Sequence, residues 1–219
     1  LKGDDNFPPT FRTRGQDTRW QILSLLEQNV YQALLNINYE TMKFQPKLAT
    51  HWKISEDKLT YWFRINPDAR WSDGREVTAD DVVATFNLLA DEGHGDPNIY
   101  TLYGESFDLP LIAESKYIVR MKSKKVDWRT FIYAATSAPI FPSYYLNKVD
   151  GAGYVDKYQY EMLPGTGPYI LDKERTTKDN NGIIVLHKRS DFWGENLYVN
   201  TGFYNFDTIK YIFMDDELL

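Results

Sequence analysis

The side chains that could carry acid–base, metal or nucleophilic chemistry are scattered along this 219-residue sequence. His51, His94 and His187 stand far apart and form neither an H-x-H nor an H-E-x-x-H spacing, so no zinc site is expected. Each is read as a surface or internally hydrogen-bonded histidine. No G-x-S-x-G elbow surrounds a serine, and the absence of cysteine removes thiol nucleophiles, thiolate metal sites and disulfides. "GTGPY" at residues 165 to 169 lacks the third glycine of the dinucleotide fingerprint and the Gly-Lys-Ser/Thr of a Walker loop, so no nucleotide cofactor is expected. The acidic pairs Asp80/Asp81 and Asp215/Asp216 offer the two carboxylates of a glycosidase. Adjacent residues on a helix or strand diverge, however, instead of flanking a substrate. Trp52, Trp62, Trp71, Trp128 and Trp193 have the ring faces to stack on sugars or peptide side chains, yet each lies beside an apolar pattern and is read as core. These residues assemble no catalytic centre, metal site or cofactor site.

Composition narrows the partners. A net charge of −6 and a pI near 5.1, without a basic run, argue against binding nucleic acid or anionic membranes by electrostatics. No apolar run approaches the ~20 residues that span a bilayer, so no direct membrane insertion is expected. The first residues, "LKGDDNFPPT", lack the apolar core of a signal peptide, so an exported protein would have lost its leader before this numbering begins. Zero cysteines suit either a reducing cytosol or a cysteine-poor exported bacterial protein. Aromatic residues make up 16% of the chain, more than a small core needs, and their mix of apolar area and polar handle suits a binding surface as well as β-rich packing.

The elements that would position these residues are of both kinds. "LTYWFRI" places Leu59, Tyr61, Phe63 and Ile65 on one face, the alternation of a half-buried strand. Ser72 to Arg75 has the residues of a tight turn around Asp73-Gly74. Thr78 and Asp81 read as a capping box, followed by Val82, Val83, Phe86 and Leu89 at helical spacing. A helix is expected from Thr18 to Leu35 with Trp20, Leu23, Leu26, Val30 and Leu34 along one side, although "VYQALL" could turn into strand. "YIVRMK", "GIIVLHK" after an Asn-Asn-Gly turn, and "IKYIFM" read as strands, "WRTFIYAAT" as a short helix, and residues 91–98, 147–153 and 177–182 as turn-rich seams. Without a regular βαβ rhythm the fold class expected is mixed α/β.

The ordered stretch "PKLATHWKISEDKLTYWFRINPDARWSDGREVTADDVVATF" resembles the signature region of the extracellular solute-binding proteins of family 5, the peptide-binding subunits of bacterial ABC importers. The matching positions are Pro46, Leu48-Ala49, Trp52, Ser55, Asp57, Thr60, Phe63, Trp71 to Gly74, and Thr78 to Val82. "APIFPSYYL", "PGTGPYIL", "HKRSDFWGE" and "FDTIKYIFMDD" resemble later family segments, with Arg189-Ser190-Asp191-Phe192 departing from the usual Asn-Pro. The resemblance implies a periplasmic-binding-protein-like II fold whose two lobes close on a ligand. Residues 1–44 and 162–219 would form the first lobe and 45–161 an inserted extra domain. The second lobe would be absent, because family members run considerably longer and "MDDELL" falls about where they cross the hinge. On that reading the sequence is an N-terminal fragment, and half a clamp, which leaves most of the ligand wet, should bind weakly or not at all.

The resemblance also implies a periplasmic location, or a membrane-tethered one outside a Gram-positive cell. Its partners would be peptides or other small solutes and the membrane permease subunits of the transporter, with no catalysis by this subunit. "VYQAL" matches the family's Phe/Tyr-Glu-Gly-Leu segment, which runs along the cleft and can pair its backbone with an extended peptide. Val30, Tyr31, Gln32 and Ala33 are thus candidate ligand contacts, and Gln32 replaces a frequent acidic residue. Tyr100 and Tyr103 resemble extra-domain aromatics that approach the cleft, and backbone groups around Thr136, Ser137 and Ala138 could line it. The same fold could instead serve nickel chelates, haem, oligosaccharides or signalling. The aromatic content and acidic pairs keep a carbohydrate hydrolase or carbohydrate module as a separate alternative.

Overall fold

The alternation and the capping residues between Leu59 and Leu89 build what their pattern predicts. In the computed structural model, which describes residues 10–18, 20–178 and 182–213, β4 (Thr60–Ile65) buries Tyr61, Phe63 and Ile65 and turns Arg64 to solvent. The chain then reverses at Asp73-Gly74, where Gly74 takes φ 85° and Arg75 N–H donates to the Asp73 carboxylate. Helix α2 (Ala79–Leu89) follows, its first turn held by the Asp81 carboxylate, which accepts from Thr78 N–H at 2.8 Å. The other Asp81 oxygen accepts from Ser143 N–H at 2.7 Å, so one buried carboxylate both caps a helix and ties it to a segment 62 residues away.

Three antiparallel sheets carry the rest. Strands β1 (Leu35–Asn38) and β2 (Lys43–Pro46) form a hairpin. Strands β3 (Ala49–Ile54), β4, β5 (Phe107–Ser115) and β6 (Ile118–Ser123) form a sheet of order β3-β4-β6-β5. The strands β7 (Tyr169–Leu171), β8 (Ile183–Lys188) and β9 (Thr208–Ile212) form the third, in that order. Helices α1 (Trp20–Asn29), α3 (Pro97–Ser106), α4 (Trp128–Thr136), α5 (Ser143–Leu146) and α6 (Gly151–Lys157) connect and cover them.

Two apolar clusters organise the packing. One joins the four-stranded sheet to α2 and α4 through Tyr61, Phe63, Trp71, Val82, Phe86, Phe107 and Phe131. The other joins α1 to α5, α6 and the third sheet through Leu25, Leu26, Tyr31, Phe141, Tyr154 and Ile184. Helix α2 belongs to both: Val82, Phe86 and Leu89 enter the first, Ala84 and Leu88 the second. A fully buried Leu or Phe contributes roughly 1.5–3 kcal/mol through area removed from water, so a helix with two such faces couples the clusters.

Two sequence expectations need correction. The first helix ends at Asn29 instead of Leu35, because the carbonyls beyond it are taken by tertiary donors: Gly167 N–H binds Val30, Ile140 N–H binds Gln32, and Leu48 and Ala49 N–H bind Ala33 and Leu34. Leu35 begins β1. Residues 97–106, placed partly in a turn-rich seam, are helical, since Asp96 accepts from Asn98 and Ile99 N–H and Pro97 fits the first helical position. The strands in "YIVRMK", "GIIVLHK" and "IKYIFM" and the helix in "WRTFIYAAT" form where expected. The side chains of Trp20 and Leu23, the Asn180 and Asn181 of the turn, Met214 and the Asp215/Asp216 pair lie outside the described residues.

Candidate ligand-binding site

The segment Val30 to Leu34 is the place where the two apolar clusters meet. Four of its five carbonyls are engaged: Val30 with Gly167 N–H at 2.8 Å, Gln32 with Ile140 N–H at 3.0 Å, Ala33 with Leu48 N–H at 3.3 Å and Leu34 with Ala49 N–H at 2.8 Å. Val30 and Tyr31 N–H both return to the Leu26 carbonyl. The Tyr31 hydroxyl donates to the Leu163 carbonyl at 3.1 Å, its ring meets Phe141 edge-on, and burial pushes its phenol pKa up. Gln32 is 2% exposed and its Oε1 has no hydrogen-bond partner among the described residues. A buried amide oxygen without a donor is costly, on the order of 1–3 kcal/mol.

The "GTGPY" motif braces this segment from behind. A side chain on Gly165 would sit 2.2 Å from the Val30 carbonyl oxygen, and one on Gly167 would sit 2.4 Å from that of Asn29. Glycine is required there for close backbone approach. Arg189, buried at the position where the sequence departs from Asn-Pro, aims its guanidinium at the carbonyls of Gly165, Gly167 and Trp71 and pairs with Asp191.

The remaining candidates fall around the C-terminal end of α4 and along α3. Ser137 is exposed at the end of α4 and its carbonyl accepts from Arg14 Nη2 at 3.4 Å, while Ala138 is buried and Thr136 bonds back to the Ile132 carbonyl. Arg14 also pairs with Glu27 of α1. Burial opposes the Arg14 charge, but Glu27 and the nearby Tyr103 and Tyr154 phenols outweigh it and raise its pKa. Tyr103 is buried, its hydroxyl 3.4 Å from the Tyr133 carbonyl and its pKa pushed up by burial to about 12. Half-buried Tyr100 lies against the His94 ring. Residues 30–33 and 137–140 are therefore brought together through Gln32, Ile140 and the Arg14–Glu27 pair. Tyr103 shares the Arg14 environment, and Tyr100 packs elsewhere.

Other sequence candidates resolve as structure. His94 is buried between the Leu89 carbonyl and Asp96 N–H, His51 is exposed, and His187 lies 4.0 Å from Asp172. Among the described residues, no group of three or more His, Cys, Asp or Glu side chains could hold a metal ion. Trp71 is core, whereas Trp128, read as core, is 74% exposed in the first turn of α4. Trp193 is half-buried and its Nε1 donates to the Thr166 carbonyl. Sequence reasoning missed Arg14, Glu27 and Lys47. Lys47, half-buried beside Glu27, has its ammonium pKa lowered to about 8 by burial.

Residues 43–218 match the family described as bacterial extracellular solute-binding proteins, family 5 middle region. A binding protein of Brucella melitensis is 30% identical over 191 residues, covering 86% of this chain and 29% of its own length. The peptidoglycan-binding protein YepA of Agrobacterium fabrum is 28% identical over 185 residues, 83% of this chain and 28% of its own. The oligopeptide-binding protein AppA of Bacillus subtilis, solved with a nonapeptide, superposes with a TM-score of 0.76 at 22% identity, over 94% of this chain and 38% of AppA. The chain thus spans under a third of the length of these curated relatives, and shares with AppA the type II periplasmic-binding fold.

Proposed function

The chain belongs to the bacterial extracellular solute-binding proteins of family 5, and on that premise we propose that it supplies part of the ligand-enclosing wall of an ABC importer's peptide-binding subunit. The observation that carries this reading is the buried seam at Val30 to Ala33, where an unpartnered Gln32 Oε1 stands beside a rigidly braced backbone. Residues 1–44 and 162–219 form the first lobe and 45–161 the inserted domain in this proposal. A second body of the full-length protein closes over the seam and excludes water, which is where a clamp gains affinity.

In this arrangement Gln32 accepts a ligand N–H, the carbonyl at Ser137 offers a further acceptor, and Tyr103 helps hold Arg14 in place. The carbonyls of Val30, Gln32 and Ala33 are already bonded within the fold, so an extended peptide would pair with the strip less completely than in plain strand addition, and side-chain preference would be broad. The ligand is an oligopeptide or dipeptide. AppA's nonapeptide and YepA's peptidoglycan both point to amide-rich solutes, and the subunit would work outside the cytoplasm, passing its ligand to membrane permease subunits without catalysing a reaction.

Calorimetric titration of the full-length protein with a nonapeptide tests this. Saturable one-to-one binding that weakens about tenfold in Gln32→Ala supports the reading. Binding unaffected by Gln32→Ala removes the seam from the site. Absence of any peptide binding, together with turnover of a glycoside, replaces it with the carbohydrate alternative.

A further inference from the structure

One face of the four-stranded sheet is core, through Tyr61, Phe63, Val119 and Met121, and the opposite face carries charge. Strand register sets its side chains in rows, with Lys53 beside Trp62, Arg120 and Ile112 in one and His51 beside Arg64 in the next. Lys122 stands beside Asp108 in a third. Neighbouring strands lie about 4.8 Å apart, so four of them present a face roughly 15 Å wide.

The sign of that face differs from that of the chain. Four cations, Lys53, Arg64, Arg120 and Lys122, meet two carboxylates, and both carboxylates are taken: Glu114 by Arg120 at 2.8 Å and the Trp62 indole N–H at 3.3 Å, Asp108 by Lys122 at 3.2 Å. Lys53 and Arg64 have no ion-pair partner among the described residues, and Lys53 Nζ lies 5.4 Å over the Trp62 ring. The ends of the sheet do not reverse the excess. The β3–β4 turn holds Glu56, Asp57 and Lys58, Glu76 pairs with Lys116 beside the β5–β6 turn, and Lys124 and Lys125 follow β6. A protein of net charge −6 thus concentrates cations on one sheet face, with half-buried Trp62 and exposed Ile112 among them. An indole and an aliphatic side chain between cations match the headgroup level of a lipid surface, where phosphates lie beside an apolar layer. An acidic protein surface offers no such layer.

We propose that this sheet face docks the protein on an anionic phospholipid surface, Lys53 and Arg64 meeting lipid phosphates and Trp62 lying at headgroup level. The contact is peripheral and electrostatic. It is independent of peptide capture at the seam around Gln32, so either can fail without the other.

Co-sedimentation of the full-length protein with vesicles tests the docking. Binding is expected to vesicles of phosphatidylglycerol and phosphatidylcholine at low salt, and it should weaken at least about tenfold in about 0.5 M salt or on phosphatidylcholine alone. Lys53→Gln combined with Arg64→Gln should also weaken it at least about tenfold, since two cations near the surface are lost. Lys173→Gln combined with Lys210→Gln makes the same charge change around the third sheet and should weaken it less than about twofold. Equal binding to the two kinds of vesicle, or equal effects of the two double variants, overturns the assignment of this face. Absence of vesicle binding overturns the proposal, and retention on immobilised polyglutamate in that case would assign the face to an acidic protein instead. All four side chains are exposed, so both variants should keep the wild-type circular dichroism.

Discussion

Arg189 shows how one side chain can hold an architecture. Its guanidinium is buried against three carbonyls that belong to two segments, Gly165 and Gly167 in one and Trp71 in the other. Removing it leaves those oxygens without their charged donor, so Arg189→Ala should lower unfolding stability by about 2–4 kcal/mol. Arg189→Lys keeps the charge but loses the planar fork and should recover less than half of that loss, read from urea unfolding midpoints. Asp81 plays a comparable role with opposite charge. Asp81→Ala loses the cap at Thr78 and the Ser143 contact and should cost about 2 kcal/mol, with Asp81→Asn costing clearly less because an amide oxygen can still accept.

Among the elements, α1 and the segment after it show local pattern losing to tertiary hydrogen bonds. Val30 and Leu34 continue the helical spacing of Leu26, yet the segment leaves the helix because Gly167, Ile140, Leu48 and Ala49 capture its carbonyls. The glycines that permit this lie more than 130 residues downstream, beyond the reach of any local reading. Beside it, Lys47 at the end of the β1–β2 hairpin carries a burial cost. A lysine whose folded pKa, about 8, lies below its ordinary 10.5 binds fewer protons folded than unfolded in that interval. Stability should therefore rise as pH increases from about 8 toward 10, relative to Lys47→Met, which should itself be more stable than wild type near neutrality by on the order of 1 kcal/mol. A wild-type and Lys47→Met difference that stays flat across this range would remove the buried-cation account.

At the scale of the whole molecule, α2 buries residues in both apolar clusters, so the clusters should unfold as one unit. Far-UV and near-UV signals are expected to share a single thermal midpoint, and Leu88→Ala, truncated on the second cluster alone, should lower both together by the equivalent of about 2–3 kcal/mol. Midpoints that separate in this variant would show that the clusters are independent. One cooperative body suits the rigid ligand-facing wall proposed above.

Sequence alone determined the local pieces: the β4 alternation, the Asp73-Gly74 reversal, the Thr78–Asp81 start of α2 and the α4 helix, each encoded within a few consecutive residues. Its dense match to the family's signature stretch also determined the fold class. Tertiary structure decided where α1 stops, which of the tryptophans is exposed, and that Arg14, Glu27, Ser137 and Gln32 belong to one neighbourhood. Those outcomes depend on donors, acceptors and glycines far apart in the chain. Their effect is set by distances of a few ångströms that periodicity and spacing do not encode.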